Sequence, residues 1–461
     1  EHRREAEERP ARDRAVFAAC PHEHKGSARE NGYRENVSSA GRHRFRAVRR
    51  GEHTGTLAPV TRARTAAAIV ACFGFCGLGL APAADAASAP SGGTQAPGGE
   101  VVVVPGTVES VAARATAAVA AMSLTERAAS VIMGHISTTD SAVLRDYMSS
   151  TRVGGFILMG ANIPGSEDRL REITAALTVD PAVPPLLGVD QEGGDVSRLP
   201  WDDFPSSITL KNEPPEATEL AFAGRGALVQ RAGISVNFGI VADITDDTSM
   251  FIYRRALGTN PESGASHVAA AVVGEEPEAL STLKHFPGHG AAPGDSHRGI
   301  PSTTESYDQW RETDAVPFAA GIEAGAPLLM FGHLAYTSVD EKPATLSSEW
   351  HRIAREELGF DGVAITDDLG MLEASGLSEY QDPVANAVAA LAAGNDMLLS
   401  VLGTNSGTAA ELTAGIVTAV ESGALPAERL EEAAVRVMTL RLQAAGAGRG
   451  LVPCSSCAPA A

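Results

Sequence analysis

A single (β/α)8 barrel of the TIM type is the fold class this sequence predicts, and three observations predict it. Short apolar runs alternate eight times with amphipathic stretches, the pattern of parallel strands joined by crossover helices. The body that carries them, residues 112–445, has the length of one such barrel. Five of the eight runs end on or just before polar residues, on the rim where a barrel places its chemistry. An open doubly wound sheet is the alternative. It would need a glycine-rich phosphate fingerprint after a strand, and Gly288-His289-Gly290 lacks both the third glycine and a following helix.

Taken in order, residues 87–111 form a linker rich in Ser, Pro, Gly and Ala, and folding begins near Ala112. Strands are predicted at 131–136, 155–159, 186–190, 235–240, 282–285, 328–332, 363–367 and 397–400. Helices are predicted at 167–177, 216–232, 263–273, 309–324, 348–358 and 383–393, with 409–421 and 426–443 after the last strand. The third strand ends in Asp190-Gln191-Glu192-Gly193-Gly194, with Arg198 following. The fourth leads to Asp243, and Arg255 comes after it. The fifth runs into Lys284-His285, the sixth into His333 and the seventh into Thr366-Asp367-Asp368. Residues 446–461 form a flexible tail.

The ends of the chain read differently from its body. Residues 1–66 hold 15 Lys and Arg against 9 Asp and Glu, and the remainder holds 22 against 48. A folded part this acidic argues against nucleic acid and anionic membrane surfaces as partners. Residues 1–59 lack an apolar period and read as a disordered or misassigned extension, with Val60 as the candidate initiator. Arg62 and Arg64, the apolar run 66–81 and Ala84-Asp85-Ala86 then make a secretory signal peptide over 60–86. Glycines and Pro82 interrupt that run, which disfavours a transmembrane helix, so no integral span is expected in the mature chain. Ile69-Val70-Ala71-Cys72 keeps open a lipid anchor on Cys72, and the expected location is outside the cell or in its envelope. None of the five cysteines falls between residues 77 and 453. The catalytic body therefore needs no disulfide, and Cys454 and Cys457 lack the further ligands of a metal site.

The most informative stretch is Lys284-His285-Phe286-Pro287-Gly288-His289-Gly290, followed by Asp295-Ser296-His297-Arg298-Gly299. A lysine, three histidines and an aspartate gather there among glycines and prolines, on a mobile loop after a buried strand. Carboxylates, arginines, a lysine and histidines converging on one rim suit a small polyhydroxylated substrate.

These motifs, with Val189-Asp190-Gln191-Glu192-Gly193-Gly194 and Gly359-Phe360-Asp361-Gly362-Val363 leading to Thr366-Asp367-Asp368-Leu369, resemble glycoside hydrolase family 3. The likeness is to its single-domain bacterial β-N-acetylhexosaminidases. It implies a retaining exo-enzyme that removes terminal β-linked N-acetylglucosamine from peptidoglycan fragments or chitin-type oligosaccharides. It further implies Asp367 as nucleophile and His297 as acid/base. Asp295 accepts a hydrogen bond from the other ring nitrogen of His297 and so fixes its tautomer. Asp368 is expected to be structural, because adjacent side chains on an extended chain point apart. By the same resemblance the sugar is bound by Asp190, Arg198, Arg255, Lys284 and His285, with Lys284 and Arg255 lowering the nucleophile's pKa if they lie close to it. His289 and His333 receive no role.

The resemblance implies no cofactor and no metal, a carbohydrate as the partner, and a monomer. The chain departs from the family at Asp195, where an arginine is usual, and it lacks the sandwich domain of the family's β-glucosidases. Two other readings stand beside the hydrolase. A neutral acid/base would admit phosphate to the same site, giving an N-acetylglucosaminide phosphorylase. A non-catalytic sugar-binding protein of the envelope is the other; it would be favoured had Asp367 or His297 been missing.

Overall fold

The computed structural model describes residues 110–452. The extension, the signal peptide, nearly all of the linker and the five cysteines lie outside the described residues. Eight parallel strands form the core: β1 (Ile132–Gly134), β2 (Gly155–Leu158), β3 (Leu186–Val189), β4 (Val236–Val241), β5 (Leu280–Phe286), β6 (Leu328–Phe331), β7 (Val363–Thr366) and β8 (Leu398–Leu399). Their order in space is their order in the chain, with β8 returning beside β1. The seam between β7 and β8 is joined by a bridge from Ile365 to Met397 and by the Thr366 N–H on the Met397 carbonyl at 3.1 Å. This is the predicted barrel.

Register brings the carboxyl ends of the strands together. Leu158 pairs with Val189, Val189 with Asn237, Val241 with Lys284, and Phe331 with both Phe286 and Thr366. The residues that follow each strand therefore emerge on one rim. Against β6, the β5 strand carries an extra residue between Leu283 and Phe286, a bulge that spans Lys284 and His285. Bulges of this kind re-aim side chains beside functional sites.

The barrel interior is filled by Met133, Ile157, Phe238, Met330, Ile365 and Met397, among others. Gly188 makes room for Phe238, since a Cβ there would stand 2.6 Å from the ring. Val437, Leu440 and Ala444 of the last helix, Ala427–Gly446, join the same cluster and cover the amino-terminal mouth. Asp396, wholly buried just before β8, holds that helix through Arg429 at 2.6 Å and Arg436 at 3.2 Å, and takes Arg355 at 2.6 Å. No helix among the described residues is long and apolar enough to cross a membrane.

Most predicted helices are present, with two corrections. The stretch 309–324 is two helices, Tyr307–Glu312 and Ala315–Glu323, broken at Thr313, whose φ and ψ are −122° and −92°. There the Thr313 hydroxyl bonds to its own surroundings, Gln309 O at 2.8 Å and Glu305 Oε1 at 2.9 Å, in competition with the helix. The stretch 348–358 is an α-helix only over Ser348–Arg352 and continues as a π turn over Ile353–Glu357. Three early helices were absent from the sequence reading: Val111–Ala120, Leu124–Ser130 and Ser141–Thr151. The second starts at a capping box between Ser123 and Glu126, a signal present in the sequence.

Candidate active site

The rim is organised around a buried ionic group after β3. The chain leaves β3 at Asp190 and folds a small hairpin, Gln191–Gly193 against Val196–Ser197. Gly193 and Gly194 turn it with positive φ, and Arg225 packs so close to Gly193 that a Cβ would lie 2.2 Å from its Nη2. Glu192 is fully buried, and Arg255 donates to it twice, Nε to Oε2 at 2.9 Å and Nη2 to Oε1 at 2.7 Å. Lys284 Nζ stands between Glu192 Oε1 at 2.7 Å and Asp190 Oδ1 at 3.1 Å, and Arg198 reaches Asp190 at 3.4 Å. Burial opposes charge on Lys284, but Glu192 and Asp190 outweigh it and raise its pKa. Two carboxylates are thus matched by three cations in one half-desolvated group.

A second group secures the motif that follows. Asp243, 1 % exposed, accepts the His285 Nδ1–H on Oδ2 at 2.7 Å and the His289 N–H on Oδ1 at 2.6 Å. The Trp310 indole N–H donates to the Pro287 carbonyl at 2.9 Å, and the Tyr336 hydroxyl to that of Gly288 at 2.7 Å. The loop read from sequence as starting at His289 is therefore fixed at its root. His289 is buried against Phe251, and burial lowers its pKa to about 4.

Asp367 follows β7 and is half-buried. Burial favours its neutral form, yet His285, His333, the Asp368 N–H at 2.8 Å and Lys284 together hold its carboxyl below the ordinary range. Lys284 acts on it as the sequence suggested. Arg255 lines the same cavity with its guanidinium held by Glu192. Asp368 accepts from the backbone N–H groups of Val401 at 2.8 Å, Leu402 at 2.9 Å and Gly370 at 3.1 Å. It anchors the loop after β8. His333 is buried between Thr345 Oγ1 at 2.9 Å and the Asp368 carbonyl at 2.8 Å, and so braces the backbone beside Asp367.

His297 stands at the mouth with its side chain 62 % exposed, its Nδ1 2.8 Å from Asp295 Oδ1. A cavity of about 540 Å³ joins these groups: Asp190, Arg198, Arg255, Lys284, His285, His297 and Asp367 all line it. Asp295 is the one predicted site residue that reaches the cavity only through its partner, His297. The rest of its lining is largely apolar, with Ile157, Met159, Met330, Met371, Leu399 and Leu402. Sequence reasoning missed that lining, gave no role to Glu192 and left Asp243 as a strand-end residue. Glu192 was legible, since a carboxylate inside a strand-end motif rich in glycine is buried only with a cation. Asp195, the departure noted above, is met by Arg254 in a two-point ion pair, Nε at 2.6 Å and Nη2 at 3.1 Å. That pair is exposed and links the loops after β3 and β4.

A closed parallel barrel with a carboxylate, a histidine–aspartate pair and a polar cradle in one rim cavity has the parts a glycoside hydrolase uses. Residues 123–440 match the Glycosyl hydrolase family 3 N terminal domain. The chain belongs to glycosyl hydrolase family 3, as an enzyme of the type its β-hexosaminidase relatives represent. It is 37 % identical over 262 residues to the Beta-hexosaminidase of Pseudomonas aeruginosa (strain LESB58), covering 55 % of this chain and 76 % of that protein. Among solved structures it is similar to a glycoside hydrolase family 3 beta-N-acetylglucosaminidase from Paenibacillus sp. str. FPU-7. There the TM-score is 0.66 at 28 % identity, covering 74 % of this chain and 66 % of that one. M tuberculosis LpqI matches with a TM-score of 0.63 at 27 % identity, over 70 % of this chain and 96 % of that one.

Proposed function

We propose that the protein is an exo-β-N-acetylglucosaminidase that cleaves terminal β-linked N-acetylglucosamine with retention, through a covalent intermediate on Asp367. The observation that carries this reading is the environment of Asp367. It is a carboxylate kept ionised in a cavity whose mouth holds an aspartate-paired histidine and whose walls hold Asp190, Arg198, Lys284 and His285. In the first step Asp367 attacks the anomeric carbon, the glycosidic C–O bond breaks, and the His297 imidazolium gives its Nε2 proton to the leaving oxygen, leaving the neutral ring. In the second, His297 takes a proton from water, which displaces Asp367 and returns the sugar with its original anomeric configuration. Asp295 supports the ring through Nδ1 in both steps.

Asp190 suits vicinal hydroxyls as an acceptor, and Arg198 and Lys284 donate to the remaining oxygens. The relatives' names support N-acetylhexosamine as the sugar. Peptidoglycan fragments or chitin-type oligosaccharides are the proposed sources. Export is proposed on the basic, apolar and Ala-x-Ala pattern of residues 60–86.

The test is release of p-nitrophenol from its β-N-acetylglucosaminide, by wild type and by Asp367→Ala, with and without phosphate. Turnover by wild type, a loss of about 10⁴-fold or more in the variant, and a rate indifferent to phosphate are expected. Absence of turnover by the folded wild type on this substrate and on N,N′-diacetylchitobiose would overturn the proposal. Phosphate-dependent formation of the sugar 1-phosphate would replace hydrolysis by phosphorolysis.

A further inference from the structure

Asp243 belongs to none of the groups assigned above to the sugar or to proton transfer, yet its polar contacts are with His285, which does, and with His289, at the root of the loop that carries Asp295 and His297. Its Oδ1 accepts two backbone N–H groups, from His289 at 2.6 Å and from His285 at 3.2 Å. Its Oδ2 faces the His285 ring, 2.7 Å from Nδ1. The residue is 1 % exposed, and its hydrogen-bond partners are His285 and His289. Burial alone would favour the neutral acid. His285 and the His289 N–H outweigh it and hold the carboxyl below its ordinary range.

A carboxylate is an acceptor only, so the proton of the His285 ring facing it sits on Nδ1. The other nitrogen, Nε2, lies 3.4 Å from Arg255 Nη2 on the cavity side. Arginine is also a donor only, and its guanidinium is fixed by Glu192. The ring is thus read from both sides in the same sense: donor toward Asp243, acceptor toward Arg255 and the cavity. Reversing it would set two N–H groups against each other beside Asp367.

We propose that Asp243 is a positioning residue that sets the tautomer of the neutral His285 ring, so that Nε2 presents a lone pair to a substrate hydroxyl, while its second oxygen anchors the root of the loop carrying Asp295 and His297. The inference rests on the glycosidase reading for its consequence and on hydrogen-bond geometry alone for its premise. The two are separately testable.

Asp243→Asn is the informative variant. Its remaining oxygen keeps the two backbone N–H groups, so the amide nitrogen takes the place of Oδ2 and donates to His285 Nδ1. That forces the proton to Nε2, against Arg255. With histidine labelled by ¹⁵N, long-range ¹H–¹⁵N correlation distinguishes the tautomers, and the signal lost in His285→Gln assigns the ring. Wild type is expected to show the proton on Nδ1, and Asp243→Asn to move it to Nε2. In the same variant kcat/KM is expected to fall by about 100-fold or more, with the thermal midpoint little changed, as for other wrong-tautomer aspartate variants. The loss should be equal for nitrophenyl and for unactivated leaving groups, because the loop anchor survives. A purely structural Asp243 would lower stability without changing the tautomer. A wild-type neutral ring protonated on Nε2 overturns the proposal without any need for the variant to fold. So does a switched tautomer with activity within about threefold of wild type.

Discussion

Asp367 owes its ionised state to neighbours rather than to solvent. Burial disfavours the carboxylate, and the two histidines, one backbone N–H and Lys284 more than restore it. Its folded pKa is depressed, so its charge is present through the ordinary carboxylate range and is lost only as pH falls below that range. The ¹³C carboxyl shift of Asp367, assigned by its absence in Asp367→Asn, should stay at its ionised value from pH 8 down to the ordinary carboxylate range. Midpoint titration above pH 5 would contradict that balance. At His297, removal of the proton donor matters in proportion to how much the leaving group needs it. His297→Ala should cost about 10²- to 10⁴-fold in kcat/KM on N,N′-diacetylchitobiose and far less on a dinitrophenyl glycoside. Equal losses on both would mean that the histidine binds rather than donates.

At the scale of elements, the site depends on where regular structure stops. The bulge in β5 presents Lys284 and His285 together, and the hairpin after β3 delivers Glu192 to both cations. The break at Thr313 is the less obvious case. It leaves Asp314, 5 % exposed, against the Gly288 turn, where burial first and Glu305 second push its pKa up to about 8. The folded protein therefore keeps this proton where the unfolded chain has lost it. Since the folded state binds more protons between pH ~4 and ~8, stability falls as pH rises through that window. Thermal unfolding should show a lower midpoint at pH 8 than at pH 5, and Asp314→Asn should reduce that difference by at least about 2 °C. An unchanged difference would remove Asp314 from the account.

At the scale of the molecule, the barrel is closed twice, by the β7–β8 seam and by the last helix across its amino-terminal mouth. Asp396 joins the two through three arginines. Substituting it removes the buried carboxylate the three share and leaves Arg355 without a counter-charge, Arg429 and Arg436 keeping Glu432, so Asp396→Ala should cost about 3–5 kcal/mol in urea unfolding. A cost below 1 kcal/mol would mean that apolar packing alone seats the helix.

How much of this was legible follows from the range over which each signal acts. Periodicity and strand-end chemistry are local, so the amino acids by themselves determined the eight strands, the barrel and most of the rim residues. The His297–Asp295 pair was likewise readable, being two residues apart on one loop. What only the tertiary structure decided are partnerships between distant segments. Glu192 takes the cations of residues 255 and 284, Asp243 takes the ring of residue 285, and Asp195 takes Arg254. The apolar lining is assembled from several strands and loops. A buried charge is stable only beside its counter-charge, and which one it meets is fixed by register and closure rather than by anything in its own neighbourhood of sequence.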